Sequence, residues 1–206
     1  DMVPALALGT EAPEPGVMER PPRSRQERLL NGRLLARFLF WLGEWESLFS
    51  IIGFFFLWWT FGYSDLLNLP RMDLLSYSER LLIPAGYVYV LSTTMCHASI
   101  VMGQIGAAFA CRTERTSVFK IGFLSNKFLL VGILIEVLMI NTLIYIQPFQ
   151  RFFEHAPLPL RYWPFILIFA PLVFLSEEAR KAIMRWIEAR SCHAKENAGN
   201  LISHMG

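Results

Sequence analysis

Apolar residues along this chain gather in long blocks, unlike the short alternations of a soluble domain. Four blocks stand out, at residues 38–61, 81–111, 128–146 and 163–175. A helix that crosses a bilayer needs roughly 20 mostly apolar residues. The first and third blocks meet that length. The second is long enough to tilt or to include an interfacial segment. The fourth is short and carries Pro164 and Pro171, so it must borrow residues 158–162 or those after Ser176 to cross. Ahead of them, the run Asp1-Met2-Val3-Pro4-Ala5-Leu6-Ala7-Leu8-Gly9 begins on an acid and contains a proline. A basic Pro-Arg stretch follows, a sequel expected of the second half of a span. The pattern predicts an all-α fold, a polytopic transmembrane helical bundle made of the end of one span plus four full spans. Residues 1–9 are expected to form the half-helix and 10–37 a basic loop. Residues 38–181 would form the four-span domain and 182–206 a tail.

Composition supports a membrane setting. The 206 residues are 54% hydrophobic, and mean hydropathy is +0.39, beyond the range of ordinary soluble domains. Charge then gives an orientation. Of 19 Lys and Arg, 6 lie in residues 10–37, 4 in 112–127 and 5 after residue 176, while 62–80 and 147–161 hold 2 each. The positive-inside rule puts loops 10–37 and 112–127 and the C-terminal tail in the cytoplasm. Trp58, Trp59, Tyr63, Tyr145, Tyr162 and Trp163 then fall near the outer boundary, where belt residues sit. The net charge of +2 follows from this asymmetry and implies no nucleic-acid partner. Cys96, Cys111 and Cys192 show no disulfide or zinc spacing.

Ionisable and amide groups inside the blocks are few, and each is costly unless paired or used. Glu44 is placed to reach headgroups or Arg37. Glu46 lies deeper, with Ser50 and Gly53 on its face; a packing contact and an ion ligand both fit. Thr93, His97 and Gln104 share a face of the second block. Gly103, Ala107 and Cys111 form a small-residue row that permits close helix approach. Gln104 can offer an oxygen to a hard cation or make an interhelical hydrogen bond. His97 is read as a packed imidazole, with a proton relay as the sharper option. Glu136 sits near the middle of the third block and is either paired or part of an ion path. Asn141 is read as structural. Pro4 is expected to break its helix and free carbonyls beside Asp1, as cation sites at mid-depth require.

Five motifs, in order, carry a resemblance. They are Asp1-Met2-Val3-Pro4-Ala5, Met18-Glu19-Arg20-Pro21-Pro22-Arg23, Ala110-Cys111-Arg112-Thr113-Glu114-Arg115-Thr116-Ser117-Val118-Phe119, Ser125-Asn126-Lys127 and Ser176-Glu177-Glu178-Ala179-Arg180-Lys181. Together they resemble the C-terminal transmembrane region of the type II P-type cation-transporting ATPases. That group contains the calcium pumps and the sodium/potassium pump, and the likeness here is to bacterial-type members. The resemblance implies that Asp1 is a direct cation (metal) ligand at the sixth helix. It implies that Gln104 stands where calcium pumps of the intracellular type carry a glutamate ligand. It implies that Glu136 matches a ninth-helix acid associated with ion or proton passage. Glu46 has no clear counterpart and is kept as a second ion-path residue.

The expected function is therefore part of the cation path and the support helices of an ATP-driven cation transporter. The expected partners are the transported cation (calcium or a monovalent ion), the bilayer, and the remaining helices and cytoplasmic domains of the pump. The expected location is the plasma membrane. The phosphorylation motif Asp-Lys-Thr-Gly, the Thr-Gly-Glu loop and the Gly-Asp-Gly hinge do not occur in these 206 residues. These residues alone are thus not expected to hydrolyse ATP; ATP and Mg would serve the intact pump, and no cofactor is assigned to this chain. The alternative is a free-standing four-span accessory or remnant protein without transport activity.

Overall fold

The structure, a computed structural model, describes residues 2–15, 17–19, 31–66, 68–72 and 74–203, with backbone alone at 19, 33 and 191–203. Asp1, the Pro-Arg motif beyond residue 19 and the side chain of Cys192 lie outside the described residues. Among these residues the fold is all helical. It runs α1 (Met2–Leu8), α2 (Gly32–Arg37), a wider turn Phe38–Leu42, α3 (Gly43–Thr60), α4 (Tyr77–Leu82) and α5 (Pro84–Ala110). Then come α6 (Val118–Ile121), α7 (Lys127–Tyr145), α8 (Gln147–Phe153), α9 (Trp163–Leu167) and α10 (Phe169–Ser203). Four helical stretches are long and apolar enough to cross a bilayer: Leu34–Thr60, Pro84–Ala110, Lys127–Tyr145 and Leu160–Arg190. The protein is a polytopic helical bundle of an integral membrane kind.

Local chemistry sets the helix ends. Asn31 caps α2 by accepting from Leu34 N at 2.8 Å, and Asn126 caps α7 by accepting from Leu129 N at 3.0 Å. Ser76 and Glu79 form a reciprocal capping box on α4. Pro84 opens α5 where no intrahelical N–H is needed. The first long helix starts earlier than its apolar block, because the Asn31 cap nucleates it ahead of Phe38. The fourth does borrow on both sides: a turn at Leu160–Tyr162 precedes it, and α10 runs on through residues read as tail.

The helix α5 is the hub. It packs on α3, α10 and α7, and its interior face is nearly continuous from Gly86 to Ala110. Small residues make the close seams. A Cβ at Gly53 would overlap the Ser99 side chain, and one at Gly106 would overlap the Ala170 carbonyl. Ser99 turns its own hydroxyl back to Met95 O at 2.7 Å, so its hydroxyl is satisfied within its own helix. Aromatic stacking joins α3 to α9 and α10: Phe56–Phe165 at 4.0 Å and Phe49–Phe169 at 4.4 Å between centroids. The outward faces are apolar, as on α7 at Val131, Leu134, Ile135 and Leu138. Exposed apolar faces of this breadth are costly in water and favourable against lipid.

Two side chains depart from the belt expectation. Trp58 is fully buried and meets Tyr63 edge-on at 4.8 Å, and Tyr162 is buried, while Trp59 is exposed. Arg37 also finds a different partner from Glu44. It pairs with Glu177 on α10, and Glu44 stays exposed. Packing decides the Trp58 case, since α3 presents one stripe to α5 and the other to lipid.

Lys181 locks the charged end. Its buried ammonium donates to Ala110 O at 2.9 Å, to Thr113 Oγ1 at 2.9 Å and to Glu178 Oε1 at 3.0 Å. It thereby satisfies a terminal carbonyl of α5 and puts positive charge at that helix's negative end.

The tight α5–α10 seam yields a test. Gly106→Val should destabilise by about 1–3 kcal/mol through overpacking. Gly32→Ala, with no atom within 4 Å of the new Cβ, should be neutral or slightly stabilising. Thermal unfolding of the purified protein in detergent reads both; equal midpoints for the two variants would contradict the seam.

Candidate functional site

The placement of α1 begins at its far end. Arg112, just past α5, has a fully buried side chain. Its Nε and Nη2 donate to the two oxygens of Glu11 at 3.0 and 2.7 Å, a fork-to-fork pair. Its Nη1 donates to Gly122 O at 2.8 Å and Phe123 O at 3.2 Å, and its Nη2 also reaches Ser125 Oγ. Asn126 adds a second tie. While capping α7, it donates to Ala7 O at 3.1 Å and Glu11 Oε2 at 2.8 Å. The end of α1 is thus held against the start of α7 by groups from three segments.

Contact along α1 and α7 completes the placement. A Cβ at Gly132 would come within 3.1 Å of Pro4 N and 3.2 Å of Pro4 Cα, so glycine is what lets the two helices touch. Met2–Leu8, Pro4 included, are helical, and Asp1, beside which the break is expected, lies outside the described residues.

A cleft of about 160 Å³ opens where α1 faces α3 and α5. Pro4, Ala5 and Leu8 form one wall, Glu46 another, and Gln104, Ala107 and Cys111 a third. Gly103 passes opposite Glu46, and a Cβ there would be 3.4 Å from Glu46 Cγ. The Gly103–Ala107–Cys111 row thus makes the space in which Glu46 lies. Glu136, one turn after Gly132 on α7, is buried. Two residues singled out in the sequence, Glu46 and Gln104, therefore line the cleft beside α1 from two different helices, while Glu136 lies on α7, one turn beyond the Gly132 contact with Pro4, outside that lining.

Oxygen donors in a mostly apolar cleft suit a hard cation, because low-dielectric surroundings strengthen charge–ligand attraction. The described donors in the lining are one carboxyl and one amide, fewer than the six to eight oxygens calcium takes. Among the described residues no group of three or more His, Cys, Asp or Glu is arranged to hold a metal ion. Asp1 lies outside them.

Other expected residues go elsewhere. His97 meets His155 of the loop after α8, Nδ1 to Nε2 at 2.9 Å, and Ala156 N donates to Thr94 Oγ1 at 2.9 Å. His97 thus seats a loop on α5. Asn141 donates to Val137 O of its own helix at 2.8 Å, a structural role. Sequence reading missed the Arg112–Glu11 pair and His155. Their partners are 101 and 58 residues away, and no local spacing signals such a pair.

Comparison with known proteins gives a consistent result. A family described as "Cation transporting ATPase, C-terminus" matches residues 1–183. The sodium/potassium-transporting ATPase subunit alpha-4 of Rattus norvegicus is 30% identical over 205 residues, covering 91% of this chain and 20% of the relative. The alpha-2 subunit of Homo sapiens is 31% identical over 209 residues, with the same coverage. The calcium-transporting ATPase 1 of Bacillus cereus is 32% identical over 175 residues, covering 84% of this chain and 18% of the relative. The chain spans about a fifth of the length of the curated relatives it matches.

The α1 anchor should depend on pH. The hydrogen bond from Arg112 does most to hold the Glu11 carboxyl below its ordinary range; burial opposes this, and Asn126 adds to the lowering. A carboxyl lowered in the folded state stabilises above its unfolded value and loses that contribution as pH falls through its folded value. Protection of the Gly9, Thr10 and Glu11 amides, which bond to Leu6, Ala7 and Leu8 carbonyls, should hold near neutrality and fall below about pH 4. Hydrogen exchange, corrected for intrinsic rates, measures it. Glu11→Gln should start lower and lose the acid dependence; an unchanged acid profile would contradict the anchor.

Proposed function

This chain belongs to the cation transporting ATPase C-terminus family, and on that premise we propose that it supplies one side of the cation path of an ATP-driven cation transporter. The observation that carries the reading is the cleft in which Glu46 and Gln104 face α1, with the buried Glu136 on α7, the helix that α1 packs against through Gly132. In this reading Asp1, at the start of the segment that leads into α1, is a direct ligand of the transported cation. Gln104 contributes an amide oxygen. Glu136 and Glu46 line the adjoining path and balance the charge of the passing ion. Calcium and monovalent ions both remain within the reading, since ligand count and cavity shape decide between them.

The larger part of the work falls to residues that bind no ion. The α5 hub, with α3, α9 and α10 stacked on it, forms a stiff block against which α1 is seated. A transporter needs such a block, because alternating access moves one group of helices against another around the ion site. ATP and Mg would act on the cytoplasmic domains of the whole protein, and this chain would pass no phosphoryl group. The charge sorting supports a plasma-membrane orientation with loops 10–37 and 112–127 and the tail in the cytoplasm.

Cation-dependent phosphorylation from ATP, in the full-length protein that carries this segment, tests the reading. Asp1→Asn should abolish it. Glu46→Gln should raise the cation concentration needed for half-maximal phosphorylation by roughly tenfold, about 1.4 kcal/mol of binding. Asn141→Ala should leave that concentration unchanged. Wild-type cation dependence in both acid variants would overturn the proposal.

A further inference from the structure

A second crevice lies at the charged end of the bundle, lined by residues other than those of the α1 cleft. Its volume is about 460 Å³, and it sits between α2, the turn that follows α2, the loop after α5, and α10. Arg37, Arg115, Arg180, Trp41, Met184 and Glu188 line it. Arg37 and Trp41 lie near the start of the span Leu34–Thr60, and Arg180, Met184 and Glu188 lie near the end of the span Leu160–Arg190. The crevice is therefore at headgroup depth. Its flanks are apolar and outward-facing: Leu35, Phe38 and Leu39 on one side, Ile183, Met184 and Ile187 on the other.

The lining has three guanidiniums against two carboxylates, Glu114 and Glu188. Beneath them the buried Glu177 bridges Arg37 and Arg180, the latter at 2.6 Å. Among the described residues, the Arg115 guanidinium is paired with half-exposed Glu188 at 3.3 Å. An exposed pair of this kind is worth little and exchanges readily. Arg37 uses a terminal nitrogen on Glu177, and its buried Nε has no acceptor among the described residues. A buried donor without an acceptor is costly, and a small turn of this side chain toward the crevice would give it one.

We propose that this crevice binds the headgroup of an anionic phospholipid, with the phosphate held by Arg37 and Arg115 and the acyl chains lying along Trp41, Met184 and Ile187. Guanidinium forks match phosphate oxygens in geometry and charge. Basic crevices between spanning helices at headgroup depth are suited to anionic lipid. Trp41 supplies an amphipathic ring where glycerol meets the chains. Soluble phosphates share the headgroup chemistry but would leave the apolar flanks uncovered. Its lining shares no residue with the cation cleft, so the proposal rests on different side chains from the transport reading.

Native mass spectrometry of the full chain, released from nanodiscs of equal phosphatidylglycerol and phosphatidylcholine, is the test. Wild type should retain phosphatidylglycerol preferentially. Arg115→Gln should reduce that retention roughly fivefold, the effect of one basic residue near an anionic surface. Glu188→Gln should increase it, because it frees Arg115 and removes a competing carboxylate. This opposite sign separates binding from damage to the fold, and thermal midpoints close to wild type for both variants confirm it. Arg71→Gln, remote from the crevice, should change nothing. Excess glycerol phosphate should not displace the retained lipid. The inference is overturned by equal retention in all variants, by absence of retained phospholipid, or by full displacement with glycerol phosphate.

Discussion

The buried guanidinium of Arg112 is the constraint on which the placement of α1 depends. The end of α1 is fixed where Glu11 receives both arms of Arg112 and Asn126 binds Ala7 O. Because Arg112 also holds the carbonyls of Gly122 and Phe123, one side chain ties together the exit of α5, the entry of α7 and the end of α1. Removing either partner would leave a buried charge uncompensated, which costs several kcal/mol, on the order of 3–5. The cleft containing Glu46 and Gln104 exists only while α1 is held there.

A second lock acts on the far side of α5. Lys181 meets the last carbonyl of that helix, and Gly106 lets α10 approach it closely. With α3 joined through Gly53 and through stacked phenylalanines, α5 is fixed on both flanks. Such a block changes shape little under load, because packed interiors have few alternative arrangements. That suits it to support helices whose job is to move.

Much of this was legible in the sequence, for reasons that differ by element. The spans show through because lipid imposes a length and an apolar composition that few other settings require. Glu46, Gln104 and Glu136 stood out because ionisable and amide groups are rare at that depth; the first two line the cleft beside α1, and Glu136 is buried on α7. The small-residue row Gly103–Ala107–Cys111 announced a close helix contact, and the contact proved to be with Glu46 and α1. The hidden part is long-range pairing. Nothing near Arg112 points to Glu11, nothing near His97 points to His155, and Arg37 lies 140 residues from Glu177. Trp58 misled because an aromatic near a boundary joins the belt only if its face of the helix meets lipid.

The central claim is that Glu46 and Glu136 belong to a cation path next to α1. Carbodiimide labelling tests it most directly, since hydrophobic carbodiimides react with carboxyl groups in apolar settings. The intact protein would be labelled with and without the transported cation, and the modified glutamates located by peptide mass spectrometry. The account predicts that the cation protects both Glu46 and Glu136, while Glu44, exposed two residues before Glu46, labels equally in both conditions. Equal labelling of Glu46 and Glu136 at saturating concentrations of every cation that supports turnover would contradict it.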